Sequence, residues 1–96
     1  MPSKSEVETF INRSREALAA TEKALAEKYD EMAAGANNLT ASVLGQNVMD
    51  TSITKAAKAD YLAGWMMSKG SADTFETLRI LRKITSDPAY AATLLD

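Results

Sequence analysis

Apolar residues recur at spacings of three and four along the first third of the chain. The recurring positions are Val7, Phe10, Ile11, Ala17, Leu18, Ala24, Leu25, Tyr29 and Met32. Because an α-helix turns by about 100° per residue, these side chains share a sector about 140° wide. Ser5 and Glu8 form an S-x-x-E pattern that is typical of a helix start, and Gly35 is a typical stop. The pattern predicts one long helix over residues 6–34, after an N-terminal tail at 1–5.

Four apolar residues of this predicted helix fall at intervals of seven and form a heptad-like seam. They are Ile11, Leu18, Leu25 and Met32. At 1.5 Å per residue the helix would be about 43 Å long. A compact domain of about 100 residues has a radius of gyration of only about 13 Å. The length therefore favours an elongated hairpin or bundle, or a helix that projects into an oligomer.

A returning helical segment is predicted over residues 40–69. Gly45 and Asn47 are poor helix formers. The polar run Asp50-Thr51-Ser52 resembles a fresh N-cap, so we expect a break near residue 50. Gly70 is the expected stop.

Two short helices are predicted in the last quarter of the chain. Asp73 and Glu76 repeat the capping-box pattern before a helix over 74–85. Asp87-Pro88 marks the start of a helix over 88–95, with proline at the first helical position. Since no segment alternates like a strand, the sequence predicts a single all-α domain over 1–96, an elongated helical hairpin or small bundle.

Composition excludes several classes of chemistry. The chain has 11 Lys and Arg, 13 Asp and Glu, a net charge of −2, and neither His nor Cys. It therefore has no disulfide, thiolate nucleophile or histidine acid–base pair. The sequence also contains no glycine-rich phosphate-binding motif. The acids Glu27, Asp30 and Glu31 are interpreted as a solvated helix face. We expect no enzymatic activity, no cofactor, no metal and no nucleic-acid partner.

The 53–69 part of the returning segment is predicted to have a face of mostly small residues. This face contains Ile53, Ala56, Ala57, Ala63, Gly64 and Met67. Small side chains let helix backbones approach closely, so we expect this face to pack against the long N-terminal helix. Asp60 lies within this face, and its expected partner is Lys28 or the hydroxyl of Ser14 or Thr21.

The other side of this segment carries large aromatic residues among lysines. Tyr61, Leu62 and Trp65, with Met66 at the margin, lie beside Lys55, Lys58 and Lys69. Two interpretations stay open. The C-terminal helices cover this patch through Phe75, Leu78, Leu81, Ile84, Tyr90 and Leu94. Alternatively the patch binds a partner, since Trp and Tyr are enriched at binding hot spots.

The predicted 74–85 helix combines a broad apolar face with a basic one. Leu78, Ile80, Leu81 and Ile84 make too much apolar surface to leave in water. Arg79, Arg82 and Lys83 surround Phe75 and form the one basic cluster of the chain. We interpret this cluster either as a basic helix face exposed to solvent or as a binding site for an acidic partner.

Two functions follow as hypotheses. The first is a non-enzymatic structural or assembly subunit, for example of a virion or a secretion assembly, which forms homo-oligomers through the seam and through Tyr61, Leu62 and Trp65. The second is a small adaptor, chaperone or regulator that binds a different protein through that patch or through the arginine-bearing helix. With no apolar run of about 20 residues and no secretory signal pattern, the expected location is the cytoplasm, a virion or an exported assembly.

Overall fold

The first helix begins one residue after Ser3, because Ser3 and not Ser5 caps it. The computed structural model describes residues 1–35 and 53–96, and its first helix, α1, spans Lys4–Ala34. The hydroxyl of Ser3 accepts a hydrogen bond from the Glu6 amide at 3.1 Å and donates one to the Glu6 carboxylate at 3.2 Å. The predicted Ser5–Glu8 capping box is therefore wrong by two residues. The predicted stop at Gly35 is confirmed.

The second helix, α2, spans Lys55–Ser68. The hydroxyl of Thr54 accepts a hydrogen bond from the Ala57 amide at 3.1 Å and so caps the helix start. Gly70 follows the helix end with a φ of 98°, a left-handed conformation that glycine adopts at little cost. The part of the predicted 40–69 segment before residue 53, including the break expected near residue 50, lies outside the described residues.

The third helix, α3, spans Asp73–Ser86, and the fourth, α4, spans Pro88–Leu95. The capping box predicted from Asp73 and Glu76 is wrong, since α3 starts without a side-chain cap. Both acids lie in its first turn, where negative charge interacts favourably with the helix dipole. The start of α4 is as predicted, because Asp87 accepts a hydrogen bond from the Tyr90 amide at 3.2 Å and proline follows at the first position.

Helix α1 is the element on which the others assemble. It contacts α2, α3 and α4, whereas α3 contacts both α2 and α4, and α2 does not touch α4. The molecule measures 53 × 26 × 15 Å, with a radius of gyration of 15.9 Å. Residues 1–35 and 53–96 are 85% helical and contain no strand. The predicted class, an elongated all-α fold with a long first helix and shorter C-terminal ones, is confirmed.

Most of the buried apolar side chains form three groups along α1. The α4 layer lies near the start of α1 and contains Ile11, Ile84 and Ala91, flanked by Val7, Phe10 and Tyr90. The central layer contains Ala59, Ala63 and Leu78, flanked by Leu18, Leu25 and Phe75. The Tyr29 layer lies near the end of α1 and contains Tyr29, flanked by Met32, Ala33 and Ile53.

The buried face of α1 is shifted from the predicted stripe. Ala17 and Ala24 are exposed, whereas Ser14 and Ala26 are buried. Alanine favours a helix wherever it stands, so its spacing is a weak indicator of which side is buried.

The same weakness affected the prediction for α2. Ala56 and Met67 of the predicted small face are exposed, and Ala59 and Leu62, which were not assigned to it, are buried. Three of the six residues of that face are alanines and a fourth is Gly64, so little there defined which side of the helix is buried.

Candidate interaction surfaces

Three of the four residues of the heptad-like seam pack in layers that include other helices of the same chain. Ile11 is 8% exposed and lies in the α4 layer. Leu18 and Leu25 pack against the central layer, and Met32 packs against Tyr29. Most of the seam is therefore covered within one chain. Ile11, Leu18 and Leu25 pack in layers with other helices, and Met32 packs against the end of α1.

The structure separates the residues of the predicted aromatic patch. Leu62 is only 2% exposed, whereas Tyr61 is 47% exposed and its ring lies 6.3 Å from that of Tyr29. Trp65 and Met66 are half-buried. The indole N–H of Trp65 is buried and has no hydrogen-bond partner within residues 1–35 and 53–96. Only Tyr61 of this group is broadly accessible to another molecule.

The expected cover of this patch is wrong for several of the residues assigned to it. Tyr90 and Leu94 belong to α4, which does not touch α2, and Leu94 is 49% exposed. Ile84 packs against Ile11 and Ala91 in the α4 layer. Leu78 is buried, but it packs on the alanine side of α2, against Ala59 and Ala63.

Lys58 links α2 to the end of α1. Its ammonium group donates a hydrogen bond to the Asp30 carboxylate at 2.6 Å and lies 5.8 Å from the centre of the Tyr29 ring. Glu31 is paired with Lys28 at 3.6 Å. Two of the three acids interpreted as a solvated face therefore make ion pairs, and the described ranges hold no group of three acids placed to bind a metal.

Arg82 joins α1, α2 and α3. Its guanidinium donates hydrogen bonds to the carboxylates of Asp60 on α2 and of Glu22 on α1, the latter at 2.9 Å. These hydrogen bonds, Asp60 first and then Glu22, raise the pKa of Arg82 above its ordinary value. The partner expected for Asp60 was wrong: it is neither Lys28 nor a hydroxyl group. Pairing across helices depends on the tertiary fold, so no local spacing could indicate it.

Arg79 and Lys83 are the two cations of the basic cluster that face solvent without a carboxylate partner in the described part of the chain. The Arg79 guanidinium lies 5.7 Å from the centre of the Phe75 ring, and the Lys83 ammonium lies 4.4 Å from the centre of the Tyr90 ring. These ring contacts hold both charged groups near the surface of α3.

A groove opens between α3 and α4 beside these cations. It has a volume of about 560 Å³ and is lined by Glu76, Arg79, Ile80, Arg82, Lys83 and Tyr90; we call it the α3–α4 groove. Ile80 was expected to be buried but is 48% exposed. Sequence reasoning missed the groove because it counted the apolar residues of α3 together, whereas Leu78 turns inward and Ile80 does not.

Known proteins give no indication of the function of this chain. The chain matches no known family model, and neither a curated protein nor a solved structure is significantly similar to it. Among the helices that the structure describes, none is long and apolar enough to cross a membrane.

Proposed function

We propose that the protein is a non-enzymatic helical adaptor, chaperone or regulator that binds a separate protein. The observation that carries this proposal is the contrast between the seam and α3. Ile11, Leu18 and Leu25 pack within the chain, whereas Ile80 stays exposed beside Arg79 and Lys83, which have no carboxylate partner among the residues that the structure describes. Exposed apolar side chains flanked by charge are a typical feature of protein-binding surfaces.

The solution mass tests this proposal. Light scattering on a size-exclusion column, from low to high micromolar protein, should give a mass near 10.4 kDa at every concentration. A monomer is expected because the seam that would drive self-association is already covered by α2, α3 and α4. A dimer or larger species that persists on dilution would contradict the adaptor and favour an assembly subunit.

An assembly subunit is the second candidate, and a different surface favours it. Leu94 and Leu95 are 49% and 41% exposed at the end of α4, close to the chain start, where the Met1 ammonium lies 3.7 Å from Asp96. Two exposed leucines at one end of an elongated molecule suit an end-to-end contact in a homo-oligomer, such as one in a virion or an exported structure.

Paired variants distinguish the two candidates if an oligomer is found. Leu94→Glu combined with Leu95→Glu should dissociate an end-to-end oligomer and leave helical circular dichroism unchanged. Met67→Glu is the matched control, since Met67 is similarly exposed but lies on α2. Dissociation by the control as well would show that the leucines are not the contact.

A further inference from the structure

The α3–α4 groove combines apolar side chains with charges held in fixed positions. Ile80 is 48% exposed and lies between Arg79 and Lys83 in the sequence of α3, while Tyr90 lines the groove from α4. A volume of about 560 Å³ is within the range of sites that bind a ligand or a few side chains of a partner. The groove can therefore receive an apolar anchor.

We propose that this groove binds an acidic amphipathic helix of a separate protein. An apolar side chain of that helix packs against Ile80 and Tyr90, and two of its carboxylates face Arg79 and Lys83. The inference rests on the proposed function and adds the chemistry of the partner.

The spacing of the two cations supports a helical partner. Arg79 and Lys83 are four residues apart, so they lie on one face of α3, about one turn from each other. Carboxylates spaced by three or four residues on a second helix have the same separation. The ring contacts with Phe75 and Tyr90 order the two cations before binding, which lowers the entropy cost of pairing.

The other charges of the groove favour a protein over a nucleic acid. Arg82 is already neutralised by Glu22 and Asp60, so it adds little attraction for a polyanion. Glu76 also lines the groove, is exposed and has no cation partner within the described ranges. A uniformly negative phosphate backbone would be repelled there, whereas a peptide can place a lysine opposite Glu76.

Helices α1 and α4 of a second copy do not combine acids with exposed large apolar side chains. The exposed face of α1 carries acids, but its residues include no large exposed apolar side chain. Helix α4 carries exposed leucines, but Pro88–Leu95 contains no acid. We therefore take a different protein as the occupant, and a second copy, whose α3 carries Asp73, Glu76 and Ile80, is an outcome of the test.

Nuclear magnetic resonance titration of the isotope-labelled full chain tests the inference. The probe is a designed helical peptide of about 18 residues, about five turns, with leucines along one side, glutamates beside them and one terminal lysine. The expected result is a set of amide shifts confined to residues 76–90. The double variant Arg79→Glu, Lys83→Glu should weaken binding at least about tenfold, equivalent to about 1.4 kcal/mol.

The matched control is the double variant Arg13→Glu, Lys23→Glu, which reverses two charges at exposed sites of α1. It should bind the probe like the natural chain. Ile80→Glu provides a second test of the anchor and should also weaken binding, with circular dichroism showing that each variant is folded.

Several outcomes would overturn the inference. They are an absence of shifts at 76–90 up to millimolar peptide, equal binding of a peptide whose leucines are replaced by alanine, and displacement of the probe by single-stranded oligothymidylate. Shifts at 76–90 that grow with protein concentration and without peptide would assign the groove to a second copy. A monomer that does not bind the probe refutes the groove alone, whereas a stable oligomer refutes the proposed adaptor.

Discussion

The central layer and the α4 layer both depend on buried alanines, but they differ in the other contacts that stabilise them. In each, a fully buried alanine lets a helix approach α1 closely: Ala59 and Ala63 of α2 in the centre, Ala91 of α4 at the end. Each layer joins three helices, and beside the centre the Arg82 ion pairs also link α1, α2 and α3. Helix α4 has eight residues, and Ala91 is the one that is fully buried. We therefore expect the centre to be stable and α4 to open locally.

This difference bears on the α3–α4 groove, which lies where the two regions meet. Helix α3 takes part in both layers, through Leu78 in the centre and Ile84 at the end. Tyr90 lines the groove from α4 and contacts Lys83. Opening of α4 would remove that side of the groove while Arg79 and Ile80 stay in place on α3.

The largest expected effect is that of Leu78→Ala in the central layer. Leu78 is 1% exposed, so its removal leaves a cavity among Ala59, Ala63 and the side chains of α1. The free energy of unfolding should fall by about 3–4 kcal/mol, measured by urea denaturation followed by circular dichroism. Ile80→Ala is the matched control on the same helix and should change it by less than about 0.5 kcal/mol. Equal losses would mean that α3 does not face the core as described.

A smaller loss is expected for Arg82→Met, which removes the ion pairs but keeps an apolar stem. Glu22, whose side chain is 20% exposed, and Asp60 lose their partner. The free energy of unfolding should fall by about 1–2 kcal/mol, the value of charge-assisted hydrogen bonds that are partly exposed. The same denaturation experiment measures it.

The control for Arg82→Met is Arg79→Met, since Arg79 contacts a ring and no carboxylate. Its effect should be close to zero. The difference in the free energy of unfolding between the natural chain and Arg82→Met should also become smaller in 1 M salt, because salt screens ion pairs that are partly exposed. A difference that does not depend on salt would assign the loss to packing of the Arg82 stem.

Local signals explain which parts of the fold could be predicted. Gly35 ends α1 and Asp87-Pro88 begins α4 through contacts within four residues, so the sequence alone indicated both. The cap of α1 was misplaced because Ser3 and Ser5 are each followed three residues later by glutamate. Nothing in that pattern distinguishes the two serines.

Features that depend on the tertiary fold could not be predicted in this way. The orientation of α2 was ambiguous because alanine fits a buried and an exposed position equally well. The Arg82 partners lie 22 and 60 residues away in the chain. The exposure of Ile80 depends on how α4 packs beside α3, and periodicity within α3 contains no information about that.

The smallest expected effect, and the one that tests the comparison most directly, is that of Asp87→Ala. Asp87 caps α4 through the Tyr90 amide, and loss of such a cap costs about 1 kcal/mol. Because α4 has one fully buried residue, the loss should appear as faster hydrogen exchange of the amides of residues 89–95, with those of α2 unchanged. Asp73→Ala is the control, since Asp73 lies in the first turn of α3 but caps nothing, and it should cost only a few tenths of a kcal/mol.

Either result for Asp87→Ala has a consequence for the groove. If only the amides of α4 exchange faster, α4 is a separate opening unit, and the acidic peptide should bind this variant more weakly because Tyr90 leaves the groove. If the amides of α2 and α4 accelerate together, the two layers unfold as one cooperative unit. The contrast between them would then be one of geometry without a difference in stability, and the groove would be as rigid as the centre of the molecule.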